Sequence, residues 1–186
     1  MPEIPSPVQR VHLVFMGVSG SGKTTIAELV RARTSFPFVE SDKLHPPENI
    51  AKMSAGHPLN DDDRWPWLER IRDWLSNQEN LGSSSIATCS ALKRSYRDVL
   101  RAAAPAVVFV HVTDPYEVIA ARLAARKGHF MPPGLLQSQL DTLEDLQPDE
   151  AAVEISNEDA PELVAARVLA ILAERYPAVG FPHAEL

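Results

Sequence analysis

Gly17-Val18-Ser19-Gly20-Ser21-Gly22-Lys23-Thr24 fills every fixed position of the pattern G-x-x-x-x-G-K-[ST]. These residue types at this spacing suit one chemistry. Glycines let the backbone wrap closely enough for successive N–H groups to converge on a phosphate chain. A helix opening near Lys23 adds the positive end of its dipole. Lys23 is then placed to reach the β- and γ-phosphates of ATP, and the Thr24 hydroxyl to ligate Mg²⁺, with Thr25 on the same turn.

Other candidates are cations that could hold a second anion, and a group that could accept a proton. Asp42 follows a short apolar run and could take a hydroxyl proton; a helix N-cap or a solvated turn acid is the alternative. His45, in a proline-flanked turn, could bond substrate hydroxyls or be structural. Arg64 follows Asp61, Asp62 and Asp63. It offers a bidentate grip on a carboxylate, while the acids suit a helix N-terminus, and both can hold together. Ser90, Lys93 and Arg97 follow a third apolar run. Lys93 and Arg97 lie four apart on one expected helix face, which reads equally as an ordinary exposed basic face. Arg122, Arg126 and Lys127 lead into Gly128-His129-Phe130-Met131-Pro132-Pro133-Gly134. That segment reads as a lid (about 126–138) over the γ-phosphate, or as a solvated basic helix end. Asp114 resembles a Walker B acid, although Pro115 after it favours a helix cap. Cys89 reads as a small buried residue rather than a nucleophile.

Something must hold these residues in place. Short, β-branched apolar runs predict strands over Val11–Met16, Phe38–Glu40, Ser85–Cys89, Ala106–Val112 and Ala152–Ser156. Amphipathic runs predict helices over Thr24–Arg33, Pro47–Ser54, Asp61–Asn77, Lys93–Ala103, Tyr116–Lys127, Gly134–Leu146 and Pro161–Tyr176. Such alternation is the pattern of an α/β fold, a parallel sheet with helices on both faces. At 186 residues one domain suffices, 11–176, between a loose N-terminal tail (1–10) and a C-terminal tail (177–186). Sixteen prolines argue for many short elements. A net charge of −7 argues against a nucleic-acid binder, and no apolar run is long enough to cross a membrane. One cysteine excludes an internal disulfide and a multi-thiolate zinc site. A cytoplasmic protein is expected. N-K-x-D and D-x-x-G are both missing, which favours a small-molecule kinase over a GTPase switch.

Several further strings, in order along the chain, resemble the bacterial-type gluconokinase family, relatives of shikimate and adenylate kinases. They include Asp42-Lys43-Leu44-His45-Pro46, Asn49-Ile50-Ala51-Lys52-Met53, Pro58-Leu59-Asn60-Asp61-Asp62-Asp63-Arg64 and Cys89-Ser90-Ala91-Leu92-Lys93. Tyr96-Arg97-Asp98 and Ala125-Arg126-Lys127-Gly128-His129-Phe130 continue the series. Glu40-Ser41-Asp42 stands where the family often has Asp-Gly-Asp. The resemblance implies a P-loop kinase three-layer fold, a five-stranded parallel sheet of order 2-3-1-4-5 with a mobile lid. It also implies ATP-dependent phosphorylation of D-gluconate at its 6-hydroxyl, feeding sugar-acid catabolism, and a homodimer. By the same resemblance, Lys23, Asp42 and Arg126 are catalytic. Gly17 to Thr25 and Arg122 hold nucleotide, with Mg²⁺ on Thr24. Asp42, His45, Arg64, Ser90, Lys93, Arg97 and His129 hold the sugar acid. The nearest rivals are a shikimate-type or a nucleotide kinase; shikimate kinases carry a glycine triplet after the third strand, a place taken here by Cys89-Ser90-Ala91. A non-catalytic ATP-binding module is the other.

Overall fold

A computed structural model describes residues 9–125 and 133–182. Five strands, β1 (His12–Met16), β2 (Phe38–Glu40), β3 (Ser85–Thr88), β4 (Val107–Thr113) and β5 (Ala152–Ser156), form one sheet in the order β2-β3-β1-β4-β5. Every pairing is parallel. The helices are α1 (Lys23–Thr34), α2 (Pro47–Ser54), α3 (Asp61–Asn80), α4 (Arg94–Arg101), α5 (Tyr116–Ala125), α6 (Pro133–Thr142) and α7 (Pro161–Arg175). A 3₁₀ turn, Ser41–Leu44, follows β2. The expected fold and strand order are borne out.

All five residues of β1 are buried because helices cover both faces of the sheet. Alternation along each strand then divides the side chains between two cores. Leu13, Phe15, Val108 and Val110 meet Ile26 and Val30 of α1 and Val164, Val168 and Leu172 of α7. Val14, Met16, Ala87 and Phe109 meet Trp67, Leu68, Ile71 and Leu75 of α3 and Tyr96 and Leu100 of α4. A third cluster, Val18, Leu92, Ile119, Leu123 and Leu136, ties the glycine-rich turn to α5 and α6.

Several helix boundaries differ from expectation, and two of the differences have a plain local reason. α4 begins at Arg94, which leaves Lys93 extended at the N-cap, off the helical face it was expected to share with Arg97. α6 stops at Thr142 because the Glu144 N–H donates to Leu92 O rather than back into the helix. α3 opens with a capping box in which Asn60 and Asp63 satisfy each other's backbone N–H, so one of the three acids is a cap as the charge pattern suggested. Positions 133–138, expected in the lid, lie in α6; the rest of that segment, 126–132, lies outside the described residues. The chain after each strand emerges on one edge of the sheet, where open α/β sheets carry ligands.

Candidate active site

The turn after β1 is built as a concavity. Gly17, Gly20 and Gly22 all have positive φ. Gly22, at φ 90°, is the tightest: a Cβ there would lie 2.2 Å from Asn157 Nδ2. That amide has a function, since Asn157 reaches from the end of β5 to donate to Ser21 O at 2.9 Å. Gly22 is also the N-cap of α1, so Lys23 and Thr24 open the helix as expected. A cleft of about 370 Å³ is lined by Gly20, Gly22, Lys23, Thr24, Thr25 and Arg122, with Leu123 at its wall. Lys23 Nζ donates to Val18 O at 3.4 Å, folding back over the turn. The Thr24 hydroxyl donates to Glu40 Oε1 at 2.9 Å, which leaves its oxygen lone pairs for another partner. A larger hollow of about 520 Å³, between Glu28 and Pro37, lies at the opposite edge of the sheet, away from this chemistry.

Beside the cradle, the ends of β2 and β3 assemble a second polar surface. Trp67 Nε1 donates to Ser41 O at 2.7 Å and pins the 3₁₀ turn on which Asp42 stands exposed. His45 stacks on the Trp67 ring, centroids 4.3 Å apart, and pairs through Nδ1 with Asn49 Nδ2 at 3.3 Å. Asn49 can only donate from that nitrogen, so Nε2 of a neutral His45 carries the hydrogen. Burial lowers the His45 pKa, with Asp42 opposing and Arg64 reinforcing that shift, which places the three within one electrostatic neighbourhood. Arg64 donates to the Tyr96 hydroxyl at 3.1 Å and lies over its ring. Tyr96 in turn donates to Asp61, which also accepts from Lys93 at 2.9 Å. The Tyr96 hydroxyl first, then Lys93, hold the Asp61 carboxyl below its usual range.

The two halves meet at the end of β3. Gly17 N–H donates to Ser90 O at 3.3 Å, joining the glycine turn to the segment that carries Lys93. Burial pushes the Cys89 thiol up to about 12, while Lys23 lowers it and Asp42 raises it. One buried sulfur thus feels the cradle's cation and the proposed base together. Cys89 is a buried free thiol just past β3, in keeping with a small packing residue.

Arg97 is a correction. Expected to face the substrate, it has no exposed side-chain surface and donates to both oxygens of buried Glu150. Its remaining donors go to Ala91 O, Leu92 O, Glu144 O and Asp145 O. Arg97 lies on the inward face of α4, whereas Lys93, extended at the N-cap, pairs with Asp61, so the two share no helix face. Ala91, held by this arginine, is one of two described non-glycine residues at positive φ, 46°. Asp114 aims its carboxylate at Arg122, so it caps no helix; Arg122 also donates to Asn157 O while lining the cleft. Arg126 and His129 lie outside the described residues. Sequence reasoning missed Glu40, Asn49, Asp61, Tyr96 and Asn157 as site residues. Glu40, Asn49, Asp61 and Tyr96 all lie in strings already singled out, but none of the four was given a site role there.

A glycine cradle on a strand-to-helix turn, beside a polar surface carrying Arg64 and Lys93 at the same edge of a 2-3-1-4-5 parallel sheet, is the arrangement of a P-loop kinase acting on a small molecule. Residues 13–146 match the AAA domain family. The gluconokinase of Gluconobacter oxydans is 50% identical over 152 residues, 82% of this chain and 85% of that protein. A gluconokinase structure from Sinorhizobium meliloti 1021 is 44% identical with a TM-score of 0.83, covering 93% of this chain and 97% of that one. A sugar kinase structure from Janibacter sp. HTCC2649 is 52% identical with a TM-score of 0.84, covering 91% and 98%. The chain belongs to the gluconokinase family.

Proposed function

We propose that the protein transfers the γ-phosphoryl group of ATP to the 6-hydroxyl of D-gluconate, giving 6-phospho-D-gluconate and ADP. The observation that carries this reading is the joining of the phosphate cradle to a pocket that holds Asp42, His45, Arg64 and Lys93, in a chain half-identical to a gluconokinase.

Phosphoryl transfer needs positioning and charge neutralisation more than covalent chemistry. The turn amides and Lys23 bind the triphosphate, and Arg122 flanks it. Mg²⁺ would be held by the Thr24 hydroxyl, whose proton already points at Glu40, and when bound it neutralises phosphate charge. On the acceptor side, Arg64 keeps guanidinium donors beyond the one given to Tyr96, enough to grip the C1 carboxylate. Lys93, fixed by Asp61, adds a second cation. In this reading His45 Nε2–H and Ser90 bond the sugar hydroxyls. Asp42 takes the proton of the attacking hydroxyl. Arg126 and His129 keep the roles the family resemblance gives them, neutralising the transferred group and contacting the sugar acid.

ADP release measured with gluconate, shikimate and nucleoside monophosphates, each against an acceptor-free control, tests the reading. Stimulation by gluconate alone is expected; stimulation by another acceptor, or by none, overturns it. Light scattering tests the homodimer, and cell fractionation the cytoplasmic location.

A further inference from the structure

α6 is tied to the glycine-rich turn by one side chain. Ser19 N–H donates to Gln139 Oε1 at 2.7 Å, and Gln139 Nε2 faces Ser19 Oγ at 3.2 Å. The orientation of the carboxamide is fixed by chemistry, because a backbone N–H needs an acceptor opposite it. Leu136 of the same helix packs in the cluster that holds Val18, so α6 sits on the turn by apolar contact as well. Without Gln139, the Ser19 amide would lose its acceptor within the protein.

Ser19 is the third residue of the glycine-rich turn, Gly17 to Thr24, whose amides a phosphate chain would take on the nucleotide reading. A carboxamide oxygen is neutral and a phosphate oxygen is charged, and charge-assisted hydrogen bonds are about twice as strong. We propose that Gln139 is a positioning residue that occupies the Ser19 N–H while the cradle is empty and yields it to a nucleotide phosphate. The exchange has a route to the acceptor side. Just past the end of α6 comes Glu144, whose N–H donates to Leu92 O and whose carboxylate accepts from Arg94 N, on either side of Lys93. The Gln139 contact and the Glu144 contacts beside Lys93 thus sit at two ends of one stretch of chain. The inference rests on the glycine turn being the nucleotide site.

Gln139→Glu and Gln139→Leu separate exchange from plain support. The glutamate keeps the acceptor but makes it an anion competing with phosphate at the same N–H; the leucine removes the competitor and keeps most of the volume. Calorimetry with an ATP analogue whose β–γ bridge cannot be hydrolysed is expected to show Gln139→Glu weaker by about tenfold or more. Gln139→Leu should equal or exceed the wild-type affinity. KM for gluconate should shift less than the analogue affinity in the glutamate variant. Equal weakening in both variants, or no weakening in Gln139→Glu, overturns the exchange. Should either variant fail to fold in a thermal melt, the wild type still decides: the Gln139 side-chain NH₂ resonance must move when the analogue is added, and a resonance that stays put overturns the proposal. A wild type that does not bind the analogue at all removes the nucleotide reading itself, a result distinct from these.

Discussion

Arg64 illustrates how a single side chain is prepared for an anion. One nitrogen is engaged by the Tyr96 hydroxyl, the cation lies over the Tyr96 ring, and Tyr96 is itself anchored on Asp61. The guanidinium is therefore oriented before substrate arrives, and a lysine could reproduce the charge but not the fork. Arg64→Lys should raise KM for gluconate by about tenfold, roughly the value of one charge-assisted bond, with KM for ATP nearly unchanged. Initial rates with each substrate varied in turn check this; equal shifts for both would remove the carboxylate role. Asp42 differs in kind, since its proposed task is proton acceptance. Asp42→Asn preserves shape and removes basicity, so kcat should fall by about 10²–10⁴-fold while the ATP analogue still binds. Near-normal turnover in that variant would assign the proton to another group.

At the scale of elements, the connection from α6 to β5 is held to α4 by one buried ion pair, Arg97 with Glu150, both side chains fully enclosed. Breaking such a pair from one side strands the other charge, so Arg97→Ala should cost about 3–5 kcal/mol in urea unfolding. Replacing both residues by alanine should cost less than the sum of the single changes, because the stranded charge is then gone. If the single changes proved as mild as surface substitutions, the pair would not anchor that connection. The same pair marks the limit of what spacing along a chain reveals. The strands were legible because helices on both faces demand near-continuous apolar runs, and the glycine turn because phosphate binding fixes residue type at each position. Asp61 lay in a noted acidic run and read as part of a helix start. Its partner Tyr96 is 35 positions away, a distance no local pattern spans. Arg97 and Lys93 had the right spacing for a shared face, yet α4 starts one residue later and turns Arg97 inward. Phe181, in a tail without pattern, is buried edge-on against Phe36 because the chain returns there to close the sheet-and-helix core.

For the whole molecule, the proposed site and one closed polar network lie at opposite edges of one sheet. The glycine cradle, Arg64 and Lys93 stand where the strands end; where β1 begins, a closed network consumes its own charges. Arg10 gives Glu79 two nitrogens, and fully buried His12 gives it Nε2–H at 2.9 Å while Nδ1 pairs with Ser85 Oγ at 2.8 Å. The Arg10 guanidinium first, and His12 second, hold the Glu79 carboxyl down at about 2 from its usual 4.5. A carboxyl whose folded pKa lies below its unfolded one binds fewer protons when folded, so its stabilisation is present above pH 4.5 and lost as pH falls through about 2. Glu79→Gln removes that ionisation and leaves Arg10 and His12 without a carboxylate. At pH 7 the variant should melt a few degrees below wild type. The gap should narrow steadily from pH 4.5 towards 2, where wild-type Glu79 is itself protonated. Since the network sits at the edge away from the cradle, KM for ATP and for gluconate at pH 7 should be unaltered. Melting curves followed by circular dichroism across that pH range, paired with one set of initial rates, test both halves of the claim. A gap that persists unchanged at the acid end would show that the glutamate stabilises through packing rather than charge, and altered KM values would show that the two edges are coupled.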